Sequence, residues 1–140
     1  MTKQAPSRFS IVMVVDDCHI DRLVTARVMA QSNFTDNVIE YDPEQALQYL
    51  QDHSHDPNFL PEIILLDINM PEISGFQFME VFDKFPESVR NYCKVYMISS
   101  TADPNEIVQA RTLKSISGFQ AKPITAAFLE NIDYYNTNSA

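Results

Sequence analysis

Glycine is scarce in this chain. Its 140 residues contain two, Gly75 and Gly118, where ordinary usage of about 7% would supply roughly ten. The shortage excludes glycine-rich phosphate cradles. The dinucleotide motif G-x-G-x-x-G and the P-loop G-x-x-x-x-G-K both need closely spaced glycines, and here the two stand far apart. Basic residues are also few: ten Lys and Arg against nineteen Asp and Glu, a net charge of −9. With no basic run to offset it, that balance repels nucleic acid and anionic membrane surfaces, so neither is an expected partner. No apolar stretch reaches the ~18–20 residues of a membrane span, and the opening MTKQAPSRFS lacks the apolar core of a secretion signal. Two cysteines, Cys18 and Cys93, make no framework of bridges. Free thiols in a cytoplasmic chain are expected.

Apolar residues are plentiful by contrast, at 45%, enough for one core in one domain. Their period switches repeatedly. Residues 9–15 (FSIVMVV) form a continuous, β-branched-rich run, as in a strand covered on both faces. The run stops at Asp16-Asp17, and apolar positions from Ile20 to Met29 then follow helical spacing. Residues 37–41 suggest a short strand, and Asp42-Pro43 supplies an N-cap and a first-turn proline for a helix carrying Ala46, Leu47 and Leu50. Residues 51–62 read as loop. Residues 63–68 (IILLDI) read as strand, and 76–85, with four phenylalanines packing into a core, as helix after Gly75. Residues 95–98 make a fourth strand. Asp103-Pro104 opens a helix, residues 118–121 make a fifth strand, and 124–132 a last helix.

Five strand–helix pairs argue for a parallel sheet with helices on both faces. A closed eight-unit barrel needs about 200 residues or more, so an open, doubly wound α/β sheet remains. The domain is expected over residues 9–132, with tails at 1–8 and 133–140.

In such sheets ligands bind outside the carboxyl ends of the strands. Those ends carry Asp16 and Asp17, then Asp67 with Asn69 beyond it, then Ser99 and Ser100, then Lys122-Pro123. Three carboxylates gathered in one crevice repel one another unless neutralised, and a hard cation such as Mg²⁺ does this while reaching for phosphate oxygens. A lysine and a hydroxyl suit the remaining oxygens of a phosphoryl group. The chemistry expected is phosphoryl transfer to a carboxylate. Asp67 is the candidate nucleophile, because a charge inside an apolar strand needs a functional reason.

The ordered set Asp16-Asp17, D-x-N-M-P-x-x-x-G from Asp67 to Gly75, Ser99–Thr101 and S-G-F-x-x-K-P from Ser117 to Pro123 resembles the receiver domain of two-component response regulators. The resemblance covers nearly the whole chain. It implies a flavodoxin-like (βα)5 sheet of strand order 2-1-3-4-5. It implies that Asp67 accepts a phosphoryl group from a sensor histidine kinase or a histidine phosphotransfer protein. Asp17 would ligate Mg²⁺ directly, Asp16 mainly through water, and Asp67 and the backbone carbonyl of Asn69 would complete the protein ligands. Lys122 would pair with the phosphoryl group, and the Lys122–Pro123 peptide would be cis, which costs only about 0.5–1 kcal/mol before proline. Ser99 corresponds to the switch hydroxyl and Phe119 to the switch aromatic. Positions 69 and 101, here Asn69 and Thr101, tune acyl-phosphate lifetime in that family. A downstream protein would read the surface of residues 104–132. Only a short tail follows Ile132, so a stand-alone receiver, not an enzyme in the ordinary sense, is expected.

Other classes share parts of the pattern. A degenerate receiver could serve as a phosphorylation-independent interaction module, but it would be expected to lack an acidic residue or the lysine, and neither is missing. An aspartyl-phosphate phosphatase usually carries a second Asp two residues after its nucleophile, where this chain has Asn69. Away from the constellation, His53 and His55 read as a solvated loop, His19 as an exposed helix start and Cys18 as an inert small hydrophobe. Gly75 reads as permissive backbone before a helix.

Overall fold

A computed structural model describes residues 8–99 and 103–132. Five parallel strands form one sheet: β1 (Phe9–Val15), β2 (Thr35–Tyr41), β3 (Ile63–Asp67), β4 (Lys94–Ser99) and β5 (Ile116–Ala121). Their order is β2-β1-β3-β4-β5, the doubly wound arrangement expected. Six helices connect and flank them among the described residues: α1 (His19–Gln31), α2 (Pro43–Asp52), α3 (Gly75–Phe82), α4 (Glu87–Tyr92), α5 (Pro104–Arg111) and α6 (Ala126–Asn131).

The alternation of side chains along a strand divides the core into two layers. Met13, Val15, Ile64, Leu66, Val95 and Met97 face α2, α3, α4 and α5, against Leu50, Phe78, Phe82, Val89 and Ala110. Val12, Val14, Ile63, Leu65 and Ile98 face the other way, against Met29 of α1, Phe34 and Leu129 of α6. Residues of β1, β3 and β4 are therefore apolar at consecutive positions because both faces are covered. Side-chain caps fix where helices begin. Asp42 and Ser74 each form a reciprocal capping box, with Gln45 and Gln77 respectively.

The structure departs from the sequence reading in several places. The aromatic stretch expected as one helix over 76–85 is shorter, ending at Phe82, and a separate helix, α4, follows. Pro86 stands at its N-cap and only Val89 is buried, so six residues carried too few apolar positions to display a period. β2 starts at Thr35 and β5 at Ile116, each two residues before expectation, because pairing with β1 and β4 extends them into weakly apolar sequence. Residues 51 and 52 belong to α2. His53 lies at the α2 C-cap against Tyr49 and Phe59, with ring centroids 4.4 and 5.0 Å away, and is not simply solvated. His55 and His19 are exposed.

Register is what positions the site. Val15 pairs with Leu66, so the residues that follow, Asp16 and Asp67, end adjacent strands side by side. Asp67 pairs with Ile98, bringing Ser99 next, and Ser99 pairs with Ala121, bringing Lys122 next.

Candidate phosphoacceptor site

Asp67 closes β3 with its carboxylate inside the rim of the sheet, 4% exposed, and Asp16 is equally buried one strand away. Asp17, next in the chain, is exposed. One carboxylate oxygen from each of the three lies within 4.8 Å of the others. Hard oxygen donors at that spacing fit a divalent cation of the Mg²⁺ type. Asn69 is exposed in the loop after β3, and its N–H donates to Asp67 Oδ1 at 3.2 Å.

Lys122 is the cation that pairs with these carboxylates among the described residues, while Arg22 donates to the Asp16 backbone carbonyl at 3.0 Å. The Lys122 Nζ lies 2.6 Å from Asp21 Oδ2, 3.0 Å from Asp16 Oδ2 and 3.6 Å from Asp67 Oδ1. The Lys122 N–H also donates to the carbonyl of Ser99 at 2.7 Å, which anchors the end of β5 to β4. The Lys122–Pro123 peptide bond is cis.

One ammonium does not balance this cluster. Burial first, and then the neighbouring charge of Asp16, push the Asp67 carboxyl up to about 7, against the opposing pull of Lys122 and the Asn69 N–H. Burial acts on Lys122 in the opposite sense, but its hydrogen bonds to Asp21 and Asp16 and the charge of Asp67 prevail and hold it above the ordinary lysine value. The carboxylates thus hold more negative charge than Lys122 neutralises, which is the electrostatic condition for binding a further cation.

Ser99 is fully buried at the end of β4. Its hydroxyl donates to Glu106 Oε1 at 3.0 Å. Phe119 lies in β5, partly buried and packed on the core layer of α2 to α5. Ser100 and Thr101 lie outside the described residues. Gly75 corrects the reading of it as permissive backbone: no glycine has positive φ. The requirement there is space. A Cβ on Gly75 would stand 2.8 Å from both the Asp67 carbonyl oxygen and Ile68 Cα, so α3 can begin against the Asp67 loop only without a side chain. Cys18 is exposed, and its N–H donates to Asp16 Oδ1 at 2.9 Å.

Two residues of the site escaped the sequence reading. Asp21 belongs to the first turn of α1, where an acidic residue is accounted for by the helix dipole alone. Its spacing of one helical turn beyond Asp17 was the available signal. Glu106 stands three residues after Asp103, which reads as a capping box. Asp103 instead takes the Asn105 N–H at 2.9 Å, and the Glu106 carboxylate turns to Ser99 and Asn69.

Known proteins resemble this chain in sequence and fold. Residues 12–132 match the response regulator receiver domain. A two-component response regulator of Oryza sativa subsp. japonica, ORR13, is 34% identical over 96 residues, covering 69% of this chain and 73% of that protein. The solved structure of a two-component response regulator from Cytophaga hutchinsonii superposes with a TM-score of 0.81 at 25% identity, covering 91% of this chain and 95% of the other. A response regulator receiver protein from Dyadobacter fermentans superposes with a TM-score of 0.76 at 31% identity, covering 86% and 91%. Proteins of this kind are signalling proteins rather than enzymes in the ordinary sense, and they typically bind Mg²⁺ at an acidic pocket. No described helix is long and apolar enough to cross a membrane. The chain belongs to the receiver domains of two-component response regulators.

Proposed function

We propose that the chain accepts a phosphoryl group on Asp67 from a phosphohistidine of a sensor histidine kinase or histidine phosphotransfer protein, and signals by a change in protein binding. The observation that carries this reading is the buried Asp67 carboxylate, close to Asp16 and Asp17 and 3.6 Å from Lys122. An Asp67 carboxylate oxygen attacks phosphorus, the phosphorus–nitrogen bond of the donor breaks, and the imidazole leaves with the bond's electron pair and takes up a proton. Asp16, Asp17, Asp67 and the Asn69 carbonyl would hold Mg²⁺, which when bound screens the carboxylates from the incoming phosphoryl oxygens. Lys122 exchanges its carboxylate partners for a phosphoryl oxygen, and Ser99 donates its hydroxyl proton to another.

Phosphorylation adds about −1.5 to −2 charge at a point where the ends of β3, β4 and β5 meet. Movement of Ser99 and Lys122 towards it biases the surface of residues 104–132, with Phe119 following by burial because it has no hydroxyl to rebond. That surface is the proposed contact for the downstream protein. Free thiols at Cys18 and Cys93 suit a reducing compartment, the cytoplasm.

Incubation with phosphoramidate and Mg²⁺, followed by intact mass, tests the reading. One phosphoryl group is expected on the wild type, with none on Asp67→Asn and none in EDTA. An unlabelled wild type would instead favour a phosphorylation-independent interaction module.

A further inference from the structure

One carboxylate outside the acidic cluster holds two of the groups that flank Asp67. Glu106, in the first turn of α5, accepts the Ser99 hydroxyl proton on Oε1 at 3.0 Å and the Asn69 side-chain N–H on Oε2 at 2.7 Å. Ser99 ends β4 and Asn69 lies in the loop after β3, so Glu106 ties two loops of the site to α5. Both bonds are charge-assisted, the stronger kind.

We infer that Glu106 is a positioning residue that sets how readily Asp67 becomes and stays phosphorylated. The inference rests on the reading of Asp67 as phosphoacceptor. A serine hydroxyl has one proton to give. While Ser99 gives it to Glu106, it cannot give it to an oxygen carried by Asp67. The phosphorylated arrangement must therefore break the Ser99–Glu106 bond, and the added negative charge further disfavours a carboxylate held at the neighbouring loops. Glu106 thus stabilises the resting arrangement twice, by occupying the proton and by its charge. When Ser99 leaves it, Glu106 gives up one of its bonds to the site. Its Asn69 bond is set on the loop that follows Asp67. The same carboxylate thereby couples the site to a helix of the proposed output surface.

The test titrates the full chain, in Mg²⁺, with beryllofluoride, which mimics a phosphoryl group on a carboxylate, and follows it by fluorine NMR. Glu106→Gln keeps the shape of the side chain and removes its charge. Affinity is expected to rise about tenfold, the scale of one hydrogen bond to a charged group. Most of that gain should vanish when Ser99→Ala is present in both proteins of the comparison, since the coupling runs through the serine proton. A merely structural role would lower affinity and thermal stability together. Unchanged or weaker binding by Glu106→Gln, with the wild type binding normally, overturns this inference alone. So does a gain that persists undiminished beside Ser99→Ala. A wild type that takes neither beryllofluoride nor a phosphoryl group overturns the phosphoacceptor reading, and this inference with it.

Discussion

Asp67→Asn should stabilise the metal-free protein, by an amount that grows with pH. The Asp67 carboxyl is raised from 3.8 to about 7, chiefly by burial and then by the charge of Asp16. A carboxyl raised on folding favours the folded state below its unfolded value, and that advantage is lost as pH climbs through the folded value. Relative to a neutral amide of the same shape, wild-type Asp67 therefore costs little at about pH 4 and its full penalty by about pH 8. Three pH units correspond to about 4 kcal/mol. Because Asp16 and Lys122 readjust when the charge is absent, about 2–4 kcal/mol is the expected gain. With a urea slope of about 2 kcal/mol per molar, the midpoint of Asp67→Asn should exceed that of wild type by roughly 1–2 M at the higher pH. The two midpoints should converge at the lower pH. The assay is urea denaturation of both proteins in EDTA across that range, taken as a difference so that other titrating groups cancel. Added Mg²⁺ should shrink the difference by stabilising the wild type. A difference independent of pH, or an Asp67→Asn protein less stable at about pH 8, would refute the electrostatic argument.

Other consequences follow from single contacts. Gly75→Ala forces a Cβ to within 2.8 Å of the Asp67 carbonyl oxygen and Ile68 Cα, both backbone, so the Asp67 loop must shift. Urea denaturation should show a loss of about 1–3 kcal/mol and phosphoramidate labelling should slow; unchanged stability and labelling would mean that α3 does not constrain the loop. Burial pushes the Cys93 thiol up to about 12, whereas Cys18 is exposed. A thiol-disulfide reagent should consequently modify one cysteine in the native protein and a second only in denaturant, and equal native reactivity of both would contradict the burial.

The sequence displayed the site because β1, β3 and β4 are largely apolar runs that lead to polar residues. Burial on both faces left no alternation to confuse the reading, and the stops at Asp16 and Ser99, with Asp67 as a charge inside an apolar run, marked the functional rim. The same logic failed where another explanation was already sufficient. Asp21 sits where a helix dipole favours an acid, and Glu106 where a capping box would use one, so neither stood out until Lys122 and Ser99 were seen to claim them. Gly75 was legible as a position that needs glycine but not as to why, because the constraint is the approach of residues that are distant in sequence. α4 was hidden because only Val89 of its residues is buried. Polar contacts between elements, unlike apolar periods, leave no repeat along the chain.

The central claim is that Asp67 itself carries the phosphoryl group. Borohydride reduction of the phosphoramidate-treated protein, followed by peptide mass spectrometry, addresses it directly, because only an acyl phosphate is reduced, to homoserine. Homoserine at position 67 alone, dependent on Mg²⁺ and on phosphoramidate, is the predicted result. Homoserine at position 16 or 17, or a phosphoryl group stable to borohydride on a serine or histidine, would contradict it.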